Sequence, residues 1–73
     1  MAKNSAKILY NRGYEKYVVA YDSDNSPAQL KARGGKLMAY VCDERGEKLL
    51  ENGKPRGGLF NLGGYWEIKG FID

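Results

Sequence analysis

The stretch from Tyr14 to Asp22, YEKYVVAYD, decides the fold that we predict for this chain. Its apolar and aromatic residues follow the two-residue period of a β-strand. Alternation assigns Tyr17, Val19 and Tyr21 to one face and Lys16, Val18 and Ala20 to the other. We therefore expect a β-strand here.

The residues on either side of this strand predict a hairpin before it and a short helix after it. Residues 7–10 (KILY) have the composition of a strand, and Asn11-Arg12-Gly13 is typical of a tight turn. Downstream, Ser26-Pro27 with glutamine three residues after the serine is a helix start, and Gly34-Gly35 is a helix stop. We expect this helix to run from residue 27 to about residue 33.

The second half of the chain predicts further short strands. Residues 36–43 alternate again, and the turn at 43–46 should return the chain as a strand over 47–51. We expect residues 52–58 (NGKPRGG) to form an irregular, exposed, basic loop. Residues 59–62 and 65–72, joined by Gly63-Gly64, should form a last hairpin with Trp66, Ile68 and Ile72 in the core.

These elements predict a mainly β fold, α+β at most, with one short helix around residues 27–33. The sheet should be small, antiparallel and curled, either as an SH3-like or OB-like barrel or as an open sheet covered by the helix. The composition agrees, because 10 glycines, 6 tyrosines and only 2 prolines favour short strands joined by turns. We expect a polar mobile tail over residues 1–6 and a single domain over residues 7–73, present as a monomer.

Composition gives no support for an enzyme. The 73 residues contain no histidine and one cysteine, Cys42, so neither a Ser-His pair nor a Cys-His pair exists. Asp22-Ser23-Asp24-Asn25 lacks the glycine and the terminal glutamate of a calcium loop, and the glycine pairs do not follow phosphate-loop spacing. We therefore expect no catalytic residue, no metal and no cofactor, and we expect Cys42 to act as a small buried apolar residue.

Targeting features are also absent from the sequence. The longest apolar run, Tyr17 to Tyr21, is far shorter than a membrane span, and residues 1–5 lack the apolar core of a signal peptide. We expect a cytoplasmic protein without a membrane partner.

Positive charge is concentrated in the first half of the chain. The net charge is +3, but residues 1–36 carry seven Lys or Arg against three Asp or Glu, whereas residues 37–73 carry five against six. A binding role is the prediction that remains, with an acidic partner attracted mainly to the first half. The candidate contact residues are Lys7, Arg12, Arg33, Lys36, Lys54, Arg56 and Tyr65.

In length, charge and predicted architecture, the chain resembles small phage-encoded proteins that take over a host machine. Among these it is most similar to the phage regulators that bind bacterial RNA polymerase, inhibiting initiation and promoting antitermination. The resemblance implies a steric and allosteric mechanism on the polymerase surface in the host cytoplasm. No functional residue is carried over from it.

Two other functional hypotheses remain open from the sequence alone. Basic residues interleave with tyrosines between Lys7 and Tyr17, which is a pattern of small β domains that bind nucleic acid directly. Anti-CRISPR and other anti-defence inhibitors share the same size and character, so they are a second class of protein-binding candidate.

Overall fold

A computed structural model describes residues 5–61 and 66–72. The elements are β1 (Ala6–Asn11), β2 (Lys16–Tyr21), a 3-10 turn (Asp22–Asp24), α1 (Pro27–Ala32), β3 (Lys36–Cys42), β4 (Leu50–Glu51), β5 (Lys54–Pro55), β6 (Gly57–Asn61) and β7 (Trp66–Ile72). Five strands form one antiparallel sheet in the order β6-β3-β2-β1-β7, and β4 and β5 form a separate small hairpin. The prediction of a mainly β fold with one short helix is confirmed.

The first hairpin forms as predicted, with slightly different bounds. β1 and β2 pair from Ala6 opposite Tyr21 to Asn11 opposite Lys16. The Oδ1 atom of Asn11, a buried side chain, accepts a hydrogen bond of 2.9 Å from the backbone N–H of Tyr14 and so holds the turn. Ala6 is fully buried in β1, so the sheet begins inside the range assigned to the mobile tail; residues 1–4 lie outside the described residues.

The short helix has the start that the sequence predicts. The Ser26 hydroxyl accepts from the Gln29 backbone N–H at 3.2 Å, and the Gln29 side chain accepts from the Ser26 backbone N–H at 3.3 Å. This reciprocal capping box satisfies two N–H groups that have no partner inside the helix. The helix ends at Ala32, and Gly34 and Gly35 follow with φ of 71° and 78°, values that glycine adopts without strain.

Both faces of the sheet are covered, which is why consecutive residues of β2 are fully buried. Val19 belongs to the tyrosine face, defined by Ala6, Ile8, Val19 and Cys42 with Tyr17, Tyr21, Tyr40 and Ile72 packed around them. Val18 belongs to the tryptophan face, defined by Val18, Ala20 and Ala39 with Leu9, Leu37, Phe60 and Trp66 packed around them. Each buried valine or isoleucine stabilises the fold by about 1.5 to 3 kcal/mol.

Side chains from the two edge strands of the sheet meet, although among the described residues these strands do not pair. β6 and β7 lie at opposite edges, yet the rings of Phe60 and Trp66 are 5.7 Å apart in an edge-to-face arrangement. The Trp66 indole N–H also donates to the backbone oxygen of Asn61 at 2.9 Å. The sequence left a barrel and an open sheet as alternatives; within the described ranges, side chains rather than a β6–β7 ladder close this end of the sheet.

The predicted last hairpin is wrong. β6 pairs with β3, from Leu59 opposite Met38 outward, and β7 pairs with β1, from Ile72 opposite Ala6. Neither strand pairs with its neighbour in sequence. β6 and β7 instead add to the sheet edges that β3 and β1 provide, where apolar residues of both strands pack against the core. The predicted Gly63-Gly64 turn lies outside the described residues.

The predicted irregular loop over residues 52–58 is also wrong, although the segment is exposed. Asn52 and Gly53 have φ of 55° and 77° and connect β4 to β5 as a two-residue turn. Asn-Gly is the commonest pair in such hairpins because both residues accept positive φ. Gly57 and Gly58 then belong to β6, where Gly57 lies against the Tyr40 ring.

Ile68 is not a core residue as predicted, and a β-bulge interrupts the alternation that assigned it to the same face as Ile72. Ile8 lies opposite Gly70 and Leu9 lies opposite Ile68, so one residue, Lys69, is extra on β7. Ile72 therefore packs on the tyrosine face whereas Ile68 is turned to the tryptophan face, where it is 57% exposed. Trp66 remains half-buried against the tryptophan face.

The loop after β3 covers the middle of the tyrosine face. The Asp43 carboxylate accepts hydrogen bonds of 2.9 Å from the backbone N–H groups of Arg45 and Glu47. This places Gly46, which is buried and has φ of 89°, directly against Ile8 and Ile72. Asp43 thus organises the loop, and Gly46 lets the loop backbone approach the core.

The Asp43 carboxylate should make stability depend on pH. Hydrogen bonds from the backbone of Glu47, followed by those from Arg45 and Gly46 and by the charge of Arg45, lower the pKa of Asp43 despite some desolvation. Because the pKa is lower in the folded state, the ionised carboxylate stabilises the fold at pH values above the ordinary pKa of the group. This stabilisation is lost as the pH falls through the folded-state pKa.

The variant Asp43→Asn isolates this effect. We expect the free energy of unfolding of Asp43→Asn, measured with urea, to be lower than that of the unaltered chain at pH 7. The difference should shrink steadily as the pH is lowered below about 4. A difference that stays constant down to pH 2 would contradict this role of the charge.

Candidate interaction surface

The basic residues that the sequence singled out do not gather into one patch. Lys7 and Arg12 lie towards opposite ends of β1, Arg33 and Lys36 flank Gly34-Gly35, and Lys54 and Arg56 lie in and after β5. Lys7 and Arg12 are therefore separated by about 17 Å along the strand direction. Tyr65, the remaining candidate, lies outside the described residues.

Several of these cations already have partners within the fold. The ion pairs are Lys7 with Asp22 at 3.2 Å, Arg12 with Glu67 at 2.7 Å and Arg56 with Glu51 at 2.9 Å. The Arg33 guanidinium donates to the backbone oxygen of Asp24 at 2.7 Å. Lys36 and Lys54 are exposed, and within the described part of the chain neither forms an ion pair. The structure thus reduces the positive field that the sequence suggested.

Lys48 occupies a position that sequence reasoning missed. Its ammonium lies 4.6 Å from the centroid of the Tyr21 ring and 4.5 Å from that of Tyr40, and these two rings meet edge to face. A cation between two aromatic rings is attracted by both π faces. Lys48 thereby attaches the returning chain to the tyrosine face, and only the register of β2 against β3 brings the two rings together.

The other pair of tyrosines lies at the opposite end of the same face. Tyr10 and Tyr17 are cross-strand partners with ring centroids 4.7 Å apart, and the Lys69 ammonium lies 5.8 Å from the Tyr10 centroid. Lys69 also pairs with Glu67 at 3.1 Å. These rings are half-buried and pack on each other, so cross-strand packing accounts for most of the tyrosine pattern in the sequence.

Tyr14 is the most exposed aromatic side chain among the described residues. It is 78% exposed at the tip of the β1–β2 hairpin, between Arg12 and Lys16. Its backbone is held by Asn11, and the following residue, Glu15, has φ of 53°. The hairpin therefore presents an aromatic ring to solvent on a well-defined turn.

A second exposed apolar surface lies on β7, at the edge of the sheet. Ile68 is 57% and Phe71 is 53% exposed. Both are turned to the tryptophan face, because Ile68 lies opposite Leu9 and Phe71 lies opposite Lys7 on β1. We call Ile68 and Phe71 with the free side of β7 the β7 edge. Sequence reasoning missed it because the bulge at Lys69 brings residues 68 and 71 to the same face.

Cys42 is buried, as predicted, on the tyrosine face. Burial, with a smaller contribution from the nearby Asp43 charge, raises the pKa of its thiol to about 11. A shift of two units from the ordinary value of 9.0 lowers the fraction of reactive thiolate about 100-fold near neutral pH.

We expect this burial to protect Cys42 from thiol reagents. At pH 8, iodoacetamide should alkylate the folded chain at least about 100-fold more slowly than the chain in urea, since thiolate is the reacting form. Mass spectrometry of timed samples measures both rates. Equal rates in the two states would show that the thiol is accessible and ionised in the fold.

In the described ranges, no three histidine, cysteine or carboxylate side chains lie close enough to hold a metal ion. No helix of the described residues has the length and apolarity that crossing a membrane requires. The chain matches no protein-family model, no curated protein and no solved structure.

Proposed function

We propose that this chain is a non-catalytic, phage-type regulator that binds bacterial RNA polymerase, inhibits the initiation of transcription and promotes antitermination. The choice of polymerase rests on the resemblance in length, charge and architecture to phage regulators of that kind. A binding role by itself rests on the surface of the fold.

The observation that carries the binding role is the exposure of large apolar side chains on a hydrogen-bonded turn and on a strand. Tyr14 at the hairpin tip and Ile68 and Phe71 on the β7 edge are each more than half exposed. Aromatic side chains on ordered elements are typical anchors of protein interfaces, because little conformational freedom is lost when they are buried. Arg12 and Lys69 next to these anchors favour an acidic partner surface.

Transcription with purified enzymes tests the proposal. We expect the chain to lower promoter-dependent transcription by bacterial RNA polymerase holoenzyme and to increase read-through of a terminator when it is added after initiation. The control is a single-subunit phage polymerase on an equivalent template. Inhibition of both enzymes would indicate binding to the template, and no effect on the bacterial enzyme at moderate salt would overturn the proposal.

Direct binding of nucleic acid is the second candidate function. The specific observation in its favour is the solvent exposure of the Tyr14 ring, which lies between Arg12 and Lys16 in the sequence. A nucleic-acid base could stack on this ring. Such binding should weaken steeply with salt, because each neutralised phosphate releases counterions. Mobility-shift assays with single- and double-stranded DNA and RNA at low salt test it, and Tyr14→Ala should lower the affinity.

A further inference from the structure

The backbone hydrogen bonds show which side of β7 is free. The Asp22 N–H donates to the Ser5 carbonyl at 2.7 Å, so the backbone groups of Ser5 point towards β2 and those of the next residue, Ala6, towards β7. Ala6 lies opposite Ile72, whose carbonyl also accepts from the Ser5 hydroxyl at 3.2 Å. The N–H and C=O of Ile72 therefore point towards β1, and those of Phe71 point outward.

The bulge gives Ile68 the same orientation. Backbone direction alternates along β1, so the backbone groups of Leu9, like those of Ser5, point towards β2, and Leu9 lies opposite Ile68. In an antiparallel pair, when the backbone groups of one residue point away from the neighbouring strand, the residue opposite also directs its N–H and C=O away from that pair. Ile68 and Phe71 thus present outward backbone groups as well as exposed apolar side chains, and among the described residues no strand pairs with this side of β7.

Among the described residues, the charged side chains at the start of this strand carry a net positive charge. Glu67 pairs with both Arg12 and Lys69, at 2.7 and 3.1 Å, so the group of three carries one uncompensated positive charge. A carboxylate on an added strand would find a cation here, whereas a second cation would be repelled.

We propose that the β7 edge is completed by an extended segment of the partner protein, with apolar residues at alternate positions and an acidic residue at one end. The segment would form a backbone ladder with Ile68 and Phe71, and its alternate side chains would cover the exposed part of the tryptophan face. The identity of that partner as bacterial RNA polymerase rests on the proposed function.

A second copy of this chain fits the same edge less well. Antiparallel pairing of two β7 strands about their midpoint would set Lys69 of one copy opposite the same lysine of the other, with the two bulges facing each other. Like charges directly opposite each other destabilise a strand pair, and bulges interrupt the ladder.

Hydrogen exchange and a matched pair of proline variants test the proposal. Phe71→Pro removes an outward N–H, and proline is tolerated on edge strands where its N–H would face solvent. The control is Leu59→Pro on β6, the other edge: Val41 N–H donates to the Arg56 carbonyl at 2.8 Å, so alternation turns the Leu59 N–H outward, and Leu59 is 49% exposed. The probes are bacterial RNA polymerase and, separately, a short synthetic peptide with valine at alternate positions and a terminal glutamate.

We expect both probes to slow exchange of the Ile68 and Phe71 amides, measured by NMR for the peptide and by mass spectrometry for the polymerase. Phe71→Pro should weaken binding at least about tenfold, whereas Leu59→Pro should leave it unchanged. Because amide hydrogen exchange is measured on the unaltered chain, that part of the test does not depend on whether the variants fold.

The two proposals fail in different ways. Polymerase binding without protection of these amides would overturn the role of the β7 edge and leave the proposed function standing. Protection by the peptide without polymerase binding would support the role of the β7 edge and overturn the proposed function. If neither probe protects the amides, if Leu59→Pro weakens binding equally, or if the free chain dimerises through β7 in sedimentation experiments, this inference is wrong.

Discussion

Gly46→Ala is expected to lower the free energy of unfolding by about 3 kcal/mol. A methyl group at this position would lie 2.6 Å from the Ile72 Cδ1 atom and 2.9 Å from the Ile8 Cδ1 atom, both closer than side-chain atoms approach in proteins. In addition, φ of 89° is strained for any residue with a Cβ atom. Either the Ile8 and Ile72 side chains would have to move within the packed tyrosine face, or the loop would have to lift from it, and both changes disturb the packing around Gly46.

Gly34→Ala is the matched control, because Gly34 has a similar φ of 71° but no atom within 4 Å of the added carbon. Gly34→Ala should therefore lower the free energy of unfolding only through the strained backbone conformation of the alanine, by about 1 to 2 kcal/mol. Urea unfolding of both variants measures the difference between them, which reports the packing contribution of Gly46. Equal losses for the two variants would show that the loop does not press on the core.

The size of the loss matters because the domain is small. A chain of 73 residues has a total stability of roughly 4 to 11 kcal/mol. A loss of about 3 kcal/mol consumes a large share of that margin. Gly46→Ala should consequently lower the unfolding temperature, which circular dichroism measures.

Asn25→Ala is expected to cost about 2 to 3 kcal/mol, because the Asn25 amide continues the β2–β3 ladder where the strands diverge. The last β2–β3 pair is Val19 with Tyr40. Beyond it, the Asn25 side-chain N–H group donates to the carbonyls of Tyr21 at 2.7 Å and Met38 at 3.0 Å, and its Oδ1 accepts from Met38 N–H at 2.7 Å. Alanine would leave these half-buried backbone groups without partners.

Two further variants make this prediction specific. Asn25→Asp keeps the acceptor for Met38 N–H but sets a carboxylate oxygen against two carbonyl oxygens, so it should also destabilise the fold. Asn61→Ala removes an exposed asparagine at the edge of the sheet and should change stability by no more than about 0.5 kcal/mol. Urea unfolding measures all three, and a loss for Asn25→Ala no larger than that for Asn61→Ala would refute the bridging role.

The local features of this fold were predictable because neighbouring residues decide them. Alternation over Lys16–Tyr21 and Lys36–Cys42 predicts strands, and Ser26, Pro27 and Gln29 predict the start of the helix. The turn at Asn52-Gly53 is equally local in origin, but the glycine and proline content of residues 52–58 led to the prediction of an irregular loop there.

The candidate contact residues were less predictable than the strands. Lysine and arginine at exposed positions are visible in a sequence, but their ion partners are not. Arg12 meets Glu67 only because β7 pairs with β1, and Lys7 meets Asp22 only because the first hairpin closes. The net field around each cation therefore depends on contacts between residues that are far apart in the chain.

By itself, the sequence determined the fold class, the first hairpin, the capped helix and the absence of histidine chemistry, since each depends on residue type and short-range spacing. Tertiary structure alone decided that β6 and β7 lie on opposite edges, that Lys48 lies between two tyrosine rings, and that the bulge at Lys69 places Ile68 and Phe71 on the same face. Strand pairing selects among many sheet edges of similar local character, and the choice depends on burying apolar surface throughout the domain.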